Sequence, residues 1–156
     1  MQISIKPIPT PDARALQAGG PDAHGYPAER HTSDGSGIPC RHCLEDVAVG
    51  EDYLILAYSP FASAQPYAET GPIFLHQKTC QAYSEQTHLP PEILRRELVL
   101  MKAYGSNHRI VYGKGCLISP VDILNRAVQL LSEAGIAYLH VRSAYNNCYS
   151  FRVDRG

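Results

Sequence analysis

Two short pairs of cysteine and histidine constrain this chain more than any other feature. Cys40-Arg41-His42-Cys43 sets two thiols two residues apart, and His76-Gln77-Lys78-Thr79-Cys80 sets an imidazole and a thiol four positions apart. Zinc takes four nitrogen or sulfur ligands at the corners of a tetrahedron, at about 2.0–2.3 Å. A C-x2-C turn wraps two thiolates around one ion, and positions i and i+4 of a helix project from one face. The spacing therefore nominates Cys40, Cys43, His76 and Cys80 as metal ligands, with structural zinc as the expected cofactor. Four protein ligands close such a site, so the ion would support the fold and do no chemistry; a missing ligand would open a Lewis-acid position. A plainer reading leaves Cys80 as a buried apolar residue, His76 as a helix cap and the knuckle thiols free. A third makes Cys40 and Cys43 a thiol–disulfide redox pair, with His42 lowering a thiol pKa. The Gly/Pro-rich lead-in to Cys40 lacks the strand-then-helix context such redox sites use.

The rest of the chain predicts what surrounds these pairs. At 156 residues and 44% hydrophobic, it can build one core, and a single domain over 1–156 is expected. A net charge of -1 argues against nucleic acid or an anionic membrane as the main partner. No apolar run approaches a membrane span, and the Met1–Pro11 stretch does not read as a secretory signal, so a soluble, cytoplasmic protein is expected. Five cysteines, an odd number, also disfavour structural disulfides. Residues 2–8 alternate weakly as a strand. Pro11–Leu16 reads as a short helix capped by Thr10. Residues 19–37, rich in Gly, Pro, Asp and Ser, read as a long loop, either mobile or a lid. Tyr53–Tyr58 and Ile73–Leu75 are strand-length apolar runs, and residues 76–86 hold helix formers with no Gly or Pro. Glu92–Arg96 predicts a helix, while 98–104 stays undecided between helix and strand. Arg109–Tyr112 and Cys116–Ile118 flank Gly113-Lys114-Gly115 as a hairpin. Ser119 to Gly135 is the strongest helix, with Ile123, Leu124, Ala127, Leu130, Leu131 and Ala134 in one stripe. Residues 136–143 and 149–153 are strands around an Asn146-Asn147 turn. Hairpins outnumber strand–helix alternations, so the fold class is α+β, a mostly antiparallel sheet with helices packed on it.

In order and spacing, the 40–80 stretch resembles treble-clef zinc fingers, in which a knuckle, a β-hairpin and a helix carry the ligands. That divides the chain into the 19–37 loop, a zinc-finger-like segment at 38–86 and an α+β core at 92–156.

The C-terminal hairpin offers a second candidate site. Alternation puts His140 and Arg142 on one face of their strand, with Leu139 and Val141 on the other. On the return strand it puts Tyr149, Phe151 and Val153 together, opposite Ser150 and Arg152, with Cys148 on the latter side. Arg142, Arg152 and Ser150 could bind a small anionic ligand or an acidic partner patch. His140 and Cys148 are the catalytic candidates should the protein be an enzyme. A solvated face with Arg–carboxylate pairs, to Asp154 or Glu133, is the plainer reading. Residues 66–72 form a loop whose Tyr67 and Glu69 could also contact a ligand, near the metal end.

Two long stretches, Pro39–Leu44 continuing through Tyr67–His76, and His140–Val153, resemble an uncharacterised bacterial family, domain of unknown function twelve-oh-three. The resemblance runs over nearly the whole chain. It implies no reaction, substrate or cofactor, so no catalytic role transfers from it.

Overall fold

In the computed structural model, which describes residues 1–86 and 88–156, two antiparallel sheets carry the chain. The elements run β1 (Ile3–Lys6), α1 (Thr10–Gln17), β2 (Glu29–Thr32), β3 (Asp52–Tyr58), β4 (Gly71–His76), α2 (Pro91–Leu94), β5 (Val99–Tyr104), β6 (Cys116–Ile118), α3 (Ile123–Leu131), β7 (Tyr138–Ser143) and β8 (Tyr149–Arg155). The larger sheet has the order β1-β8-β7-β5-β6, and the smaller β2-β3-β4. The fold is α+β and sheet-dominated. No helix among the described residues is long and apolar enough to cross a membrane.

Each sheet has its own core. The apolar stripe of α3, with Ile123, Ala127, Leu130 and Leu131 buried, packs on one face of the larger sheet against Met101, Leu139, Val141, Phe151 and Val153. Pro120–Asp122 forms a 3-10 turn ahead of α3, so the helix starts three residues later than Pro120 suggests. Gly135, at φ +91, makes the turn beyond its end. The smaller sheet buries Leu54, Leu56, Ile73 and Leu75 against Ala13 and Leu16 of α1 and against Cys40, Cys43 and Val47.

Several local expectations give way. Residues 77–86 form no helix. Their carbonyls are taken by side chains of α1 instead: Gln17 Nε2 donates to His76 O and Lys78 O at 2.9 Å each, and Arg14 to Cys80 O at 2.6 Å. The treble-clef likeness requires a helix after its hairpin, and residues 77–86 do not supply one. The 19–37 stretch is not featureless, because it contains β2, paired with β3. Arg109–Tyr112 and Cys116–Ile118 do not pair with each other. Both dock along one edge of β5, through the Tyr104–Ile110 bridge and the β6 pairing. The undecided 98–104 stretch is strand β5. Helix α1 is capped at Pro9, and Thr10 turns its hydroxyl elsewhere, as described next.

Candidate metal centre and polar cleft

The knuckle is built by backbone first. Leu44 N–H donates to Cys40 O at 3.0 Å, and Cys40 N–H to Glu45 O at 2.9 Å, closing a tight turn. Leu44 takes φ +57, a left-handed conformation that costs an L residue about 1–2 kcal/mol. Its side chain is buried in the core, which holds it there. Strand β4 runs parallel to the knuckle, with Cys40 bridged to Phe74, and ends at His76. Cys80 follows on the segment pinned by α1.

This brings together all four residues nominated from spacing. Single donor atoms from Cys40, Cys43, His76 and Cys80 lie within 4.8 Å of one another and could hold a metal ion. Cys40 Sγ and Cys80 Sγ are 3.8 Å apart, and Cys43 Sγ and His76 Nδ1 are 3.4 Å apart. Cys40 and Cys43 are buried, and His76 and Cys80 are half-buried. The Cys40 thiol is pushed well down by hydrogen bonds from Cys43 and Cys80, with a further one from His76. Cys43 is pushed up, chiefly by its hydrogen bond to Cys40. His76 rises to about 10, because its ring faces the Cys40 and Cys80 sulfurs. Metal binding here would displace the protons held by Cys43 and His76, since thiolates and a neutral imidazole are the ligating forms.

An outer ring of hydrogen bonds orients the donors. His76 Nε2 faces Glu51 Oε2 at 3.6 Å, which leaves Nδ1 for the cluster. His76 N–H lies 3.4 Å from Cys40 Sγ, which it reaches as donor. His42 is wholly buried, and burial pushes its pKa down. Its Nδ1 stands 3.2 Å from Cys80 Sγ and its Nε2 2.9 Å from Thr10 Oγ1. A neutral imidazole carries one donor and one acceptor, so an Nδ1–H turned to the Cys80 sulfur leaves Nε2 to accept the Thr10 hydroxyl. Glu51, His42 and Thr10 were not nominated as ligand-orienting residues. The only signal was the adjacency of His42 to Cys43; Thr10 and Glu51 come close only through folding.

The second candidate site lies on the open face of the larger sheet. Alternation misassigns one residue there. A bulge between Val141 and Arg142 sets Tyr149 opposite Arg142, so Tyr149 joins the face of His140 rather than that of Phe151. The face is not a solvated one. His140 is wholly buried among the rings of Phe61, Tyr104, Tyr138 and Tyr149, at centroid distances of 4.6–5.3 Å. Burial, then the positive charges of Arg142, Arg152 and Lys102, push its pKa down to about 2. Arg142 Nη2 lies 3.2 Å from His140 Nδ1, and a guanidinium only donates, so the His140 proton sits on Nε2.

Arg142 is the hub of this face. Its Nη1 pairs with Glu69 Oε2 at 2.9 Å and donates to Asn147 O at 3.1 Å. Glu69 also pairs with Lys102 at 2.5 Å. Glu69 therefore reaches the larger sheet; Gly71, two residues on, starts the strand whose other end is His76. Among the described residues, five buried polar atoms here have no hydrogen-bond partner: the donors Arg142 Nε, His140 Nε2, Tyr104 Oη and Ser150 Oγ, and Glu69 Oε2, which is ion-paired with Arg142 Nη1. Beside Arg142 opens a cleft of about 420 Å³, lined by Tyr58, Pro60, Glu69, Pro72, Asn146, Cys148 and Tyr149 among others.

The remaining nominated residues part company. Cys148 lines the cleft, its sulfur 3.8 Å from Asn146 O; His140 is not part of that lining, and no hydrogen bond joins the two among the described residues. Arg152 pairs with Asp154 at 2.6 Å, stacks on Tyr138 at 3.8 Å, and borders a different groove. Glu133 pairs with Lys114 at 2.5 Å, not with an arginine. Tyr67 meets Tyr112 through their hydroxyls at 3.2 Å, under Arg109.

A family model described as a protein of unknown function, DUF1203, matches residues 37–155, from just ahead of the knuckle to the end of β8. Neither the curated proteins nor the solved structures gave a match.

Proposed function

Since the chain belongs to the DUF1203 family of unknown function, we propose a role from its own residues: a zinc-braced binding module for a small oxyanion. One observation carries the zinc. A tetrahedral ion with Zn–S of about 2.3 Å and Zn–N of about 2.0 Å needs S–S edges of roughly 3.8 Å and S–N edges of roughly 3.5 Å. The Cys40–Cys80 and Cys43–His76 separations of 3.8 and 3.4 Å match these edges. Three thiolates and an imidazole are soft donors that favour zinc over magnesium or calcium. All four positions are filled by protein, which suits a structural ion. A reducing compartment such as the cytoplasm suits three unpaired thiols.

The anion reading rests on the donor excess at the cleft. Arg142 keeps Nε–H free, while the one acid there, Glu69, is already paired to two cations. Burial raises the phenols of Tyr58 and Tyr149, keeping them protonated as donors. A carboxylate or phosphate group supplies the missing acceptors. Arg142 is the principal ligand residue in this reading; Glu69 and Ser150 support its surroundings, and Arg152 and Tyr67 drop out.

The test has two arms on the purified full chain. Elemental analysis should give about one zinc per chain in the native protein and far less in Cys43→Ser. Calorimetric titration with benzoate and with phenyl phosphate distinguishes the two oxyanions, and Arg142→Lys should weaken whichever binds at least tenfold. No zinc would sink the first half, and no binding of either probe the second.

A further inference from the structure

The metal cluster and the cleft are joined by two physical routes. One is strand β4, which begins at Gly71 and Pro72 on the cleft wall and ends at the ligand His76. At about 3.3 Å per residue, the strand holds the two sites some ~17 Å apart. The other is Arg41, which sits between the ligand Cys40 and the orienting His42. Its side chain is buried, at 4% exposure. Arg41 Nε donates to Tyr149 O at 2.5 Å and Nη1 to Pro39 O at 3.1 Å. Tyr149 pairs with Arg142 next to the bulge, whose unpaired residue is Ser150, and the Arg142 guanidinium lies 5.8 Å from the Tyr149 ring. The Arg41 backbone is itself fixed, its N–H to Phe74 O on β4 and its carbonyl to Ile8 N, both at 3.0 Å.

We infer that metal occupancy controls the cleft: the ion locks the knuckle, and Arg41, as a positioning residue, carries that order into the bulge beside Tyr149 and the Arg142 guanidinium. This rests on the zinc-and-anion reading above. A bulge is a local break in the ladder, and the Tyr149 carbonyl beside it needs an outside partner to stay placed. Arg41 supplies it from the metal side. Without the ion the Cys40–Cys43 turn keeps its own hydrogen bonds and the core packing of Leu44 but loses its tie to His76 and Cys80. Arg41, between Cys40 and His42, then stands on a looser turn held by its Phe74 and Ile8 hydrogen bonds alone, and the cleft wall loosens. Linkage makes the effect mutual: a filled cleft tightens metal binding by the same factor.

Three measurements on the zinc-loaded full chain test this. First, zinc transfer to a competing chelator should slow severalfold when benzoate or phenyl phosphate saturates the cleft; unchanged transfer overturns the coupling. Second, Arg41→Lys should keep about one zinc per chain yet bind the probe at least fivefold more weakly and lose the probe's effect on zinc transfer. Wild-type anion affinity in this variant overturns the Arg41 route. Third, alkylation by iodoacetamide, resolved by mass spectrometry, needs no ligand. Removing zinc should speed modification of Cys148, at the cleft, several times more than that of Cys116 on β6. Equal acceleration of both would mean that the ion holds the whole fold rather than this path, and would overturn the inference. Should neither probe bind the loaded protein, the cleft reading falls by itself and the Cys148 comparison decides the coupling.

Discussion

Two clusters of polar side chains in this molecule are buried and treated in opposite ways. Around Cys40, Cys43, His76 and Cys80, both nitrogens of His76 and both of His42 have partners, and even a backbone N–H turns to a sulfur. On the open face of the larger sheet, Arg142 Nε, His140 Nε2, Tyr104 Oη and Ser150 Oγ have none. An unsatisfied buried donor costs about 1–3 kcal/mol, so such a set persists where something else compensates for it. A closed shell of partners is how a chain holds an ion for stability. Free donors beside a cleft are how it holds something that comes and goes.

That contrast can be broken most forcefully at the metal end. Cys43→Ser should lose the ion and destabilise the protein by several kcal/mol, read as a Tm drop of more than 10 °C in a thermal scan. Chelation of the wild type should lower its Tm comparably, and a small shift in either would mean that the cluster braces nothing. Next in size is an acid effect at His140. Its folded pKa of about 2 lies below the ordinary value of about 6.5, so the unfolded chain takes up a proton that the folded chain refuses. The His140 contribution is therefore complete above pH 6.5. It falls by about 1.4 kcal/mol per pH unit as the medium is acidified from there towards pH 2. Urea midpoints of His140→Phe should fall less steeply below pH 6.5 than those of wild type, and parallel slopes would refute the buried neutral ring.

Asn146→Asp is a milder probe of the cleft. A carboxylate placed on the wall should weaken benzoate or phenyl phosphate severalfold with little change in Tm, since Asn146 is exposed. Unchanged affinity would move the anion elsewhere. The smallest effect belongs to Ser150→Ala. Deleting an unpartnered buried hydroxyl should leave stability unchanged or raise it by up to about 1 kcal/mol, whereas a loss of that size would reveal a partner the hydroxyl serves.

The sequence carried the metal end further than the cleft, for physical reasons. Ligand spacing is a local property, and the 40–43 and 76–80 pairs keep their meaning whatever lies between them. The helix expected after His76 failed because helix propensity is weak beside three carbonyls claimed by Arg14 and Gln17, which no window around residue 80 can reveal. The α3 stripe was readable because a regular period encodes its buried face, and β7 and β8 because two strand-length runs flank the Asn146-Asn147 turn. Tyr149 was assigned to the wrong face because one bulged residue reverses parity, and alternation alone does not register an insertion. The burial of His140 and Arg142 likewise depends on a distant loop: Phe61 and Glu69 fold over a face that looked solvated from its own strand.

Zinc-edge X-ray absorption on the purified full chain tests the central claim most directly, since it counts and ranges the atoms around the ion. The account predicts a single tetrahedral shell of three sulfurs at about 2.3 Å and one nitrogen at about 2.0 Å. A shell of oxygen and nitrogen with fewer sulfurs, or protein that carries no zinc when purified in reductant without chelator, would contradict it.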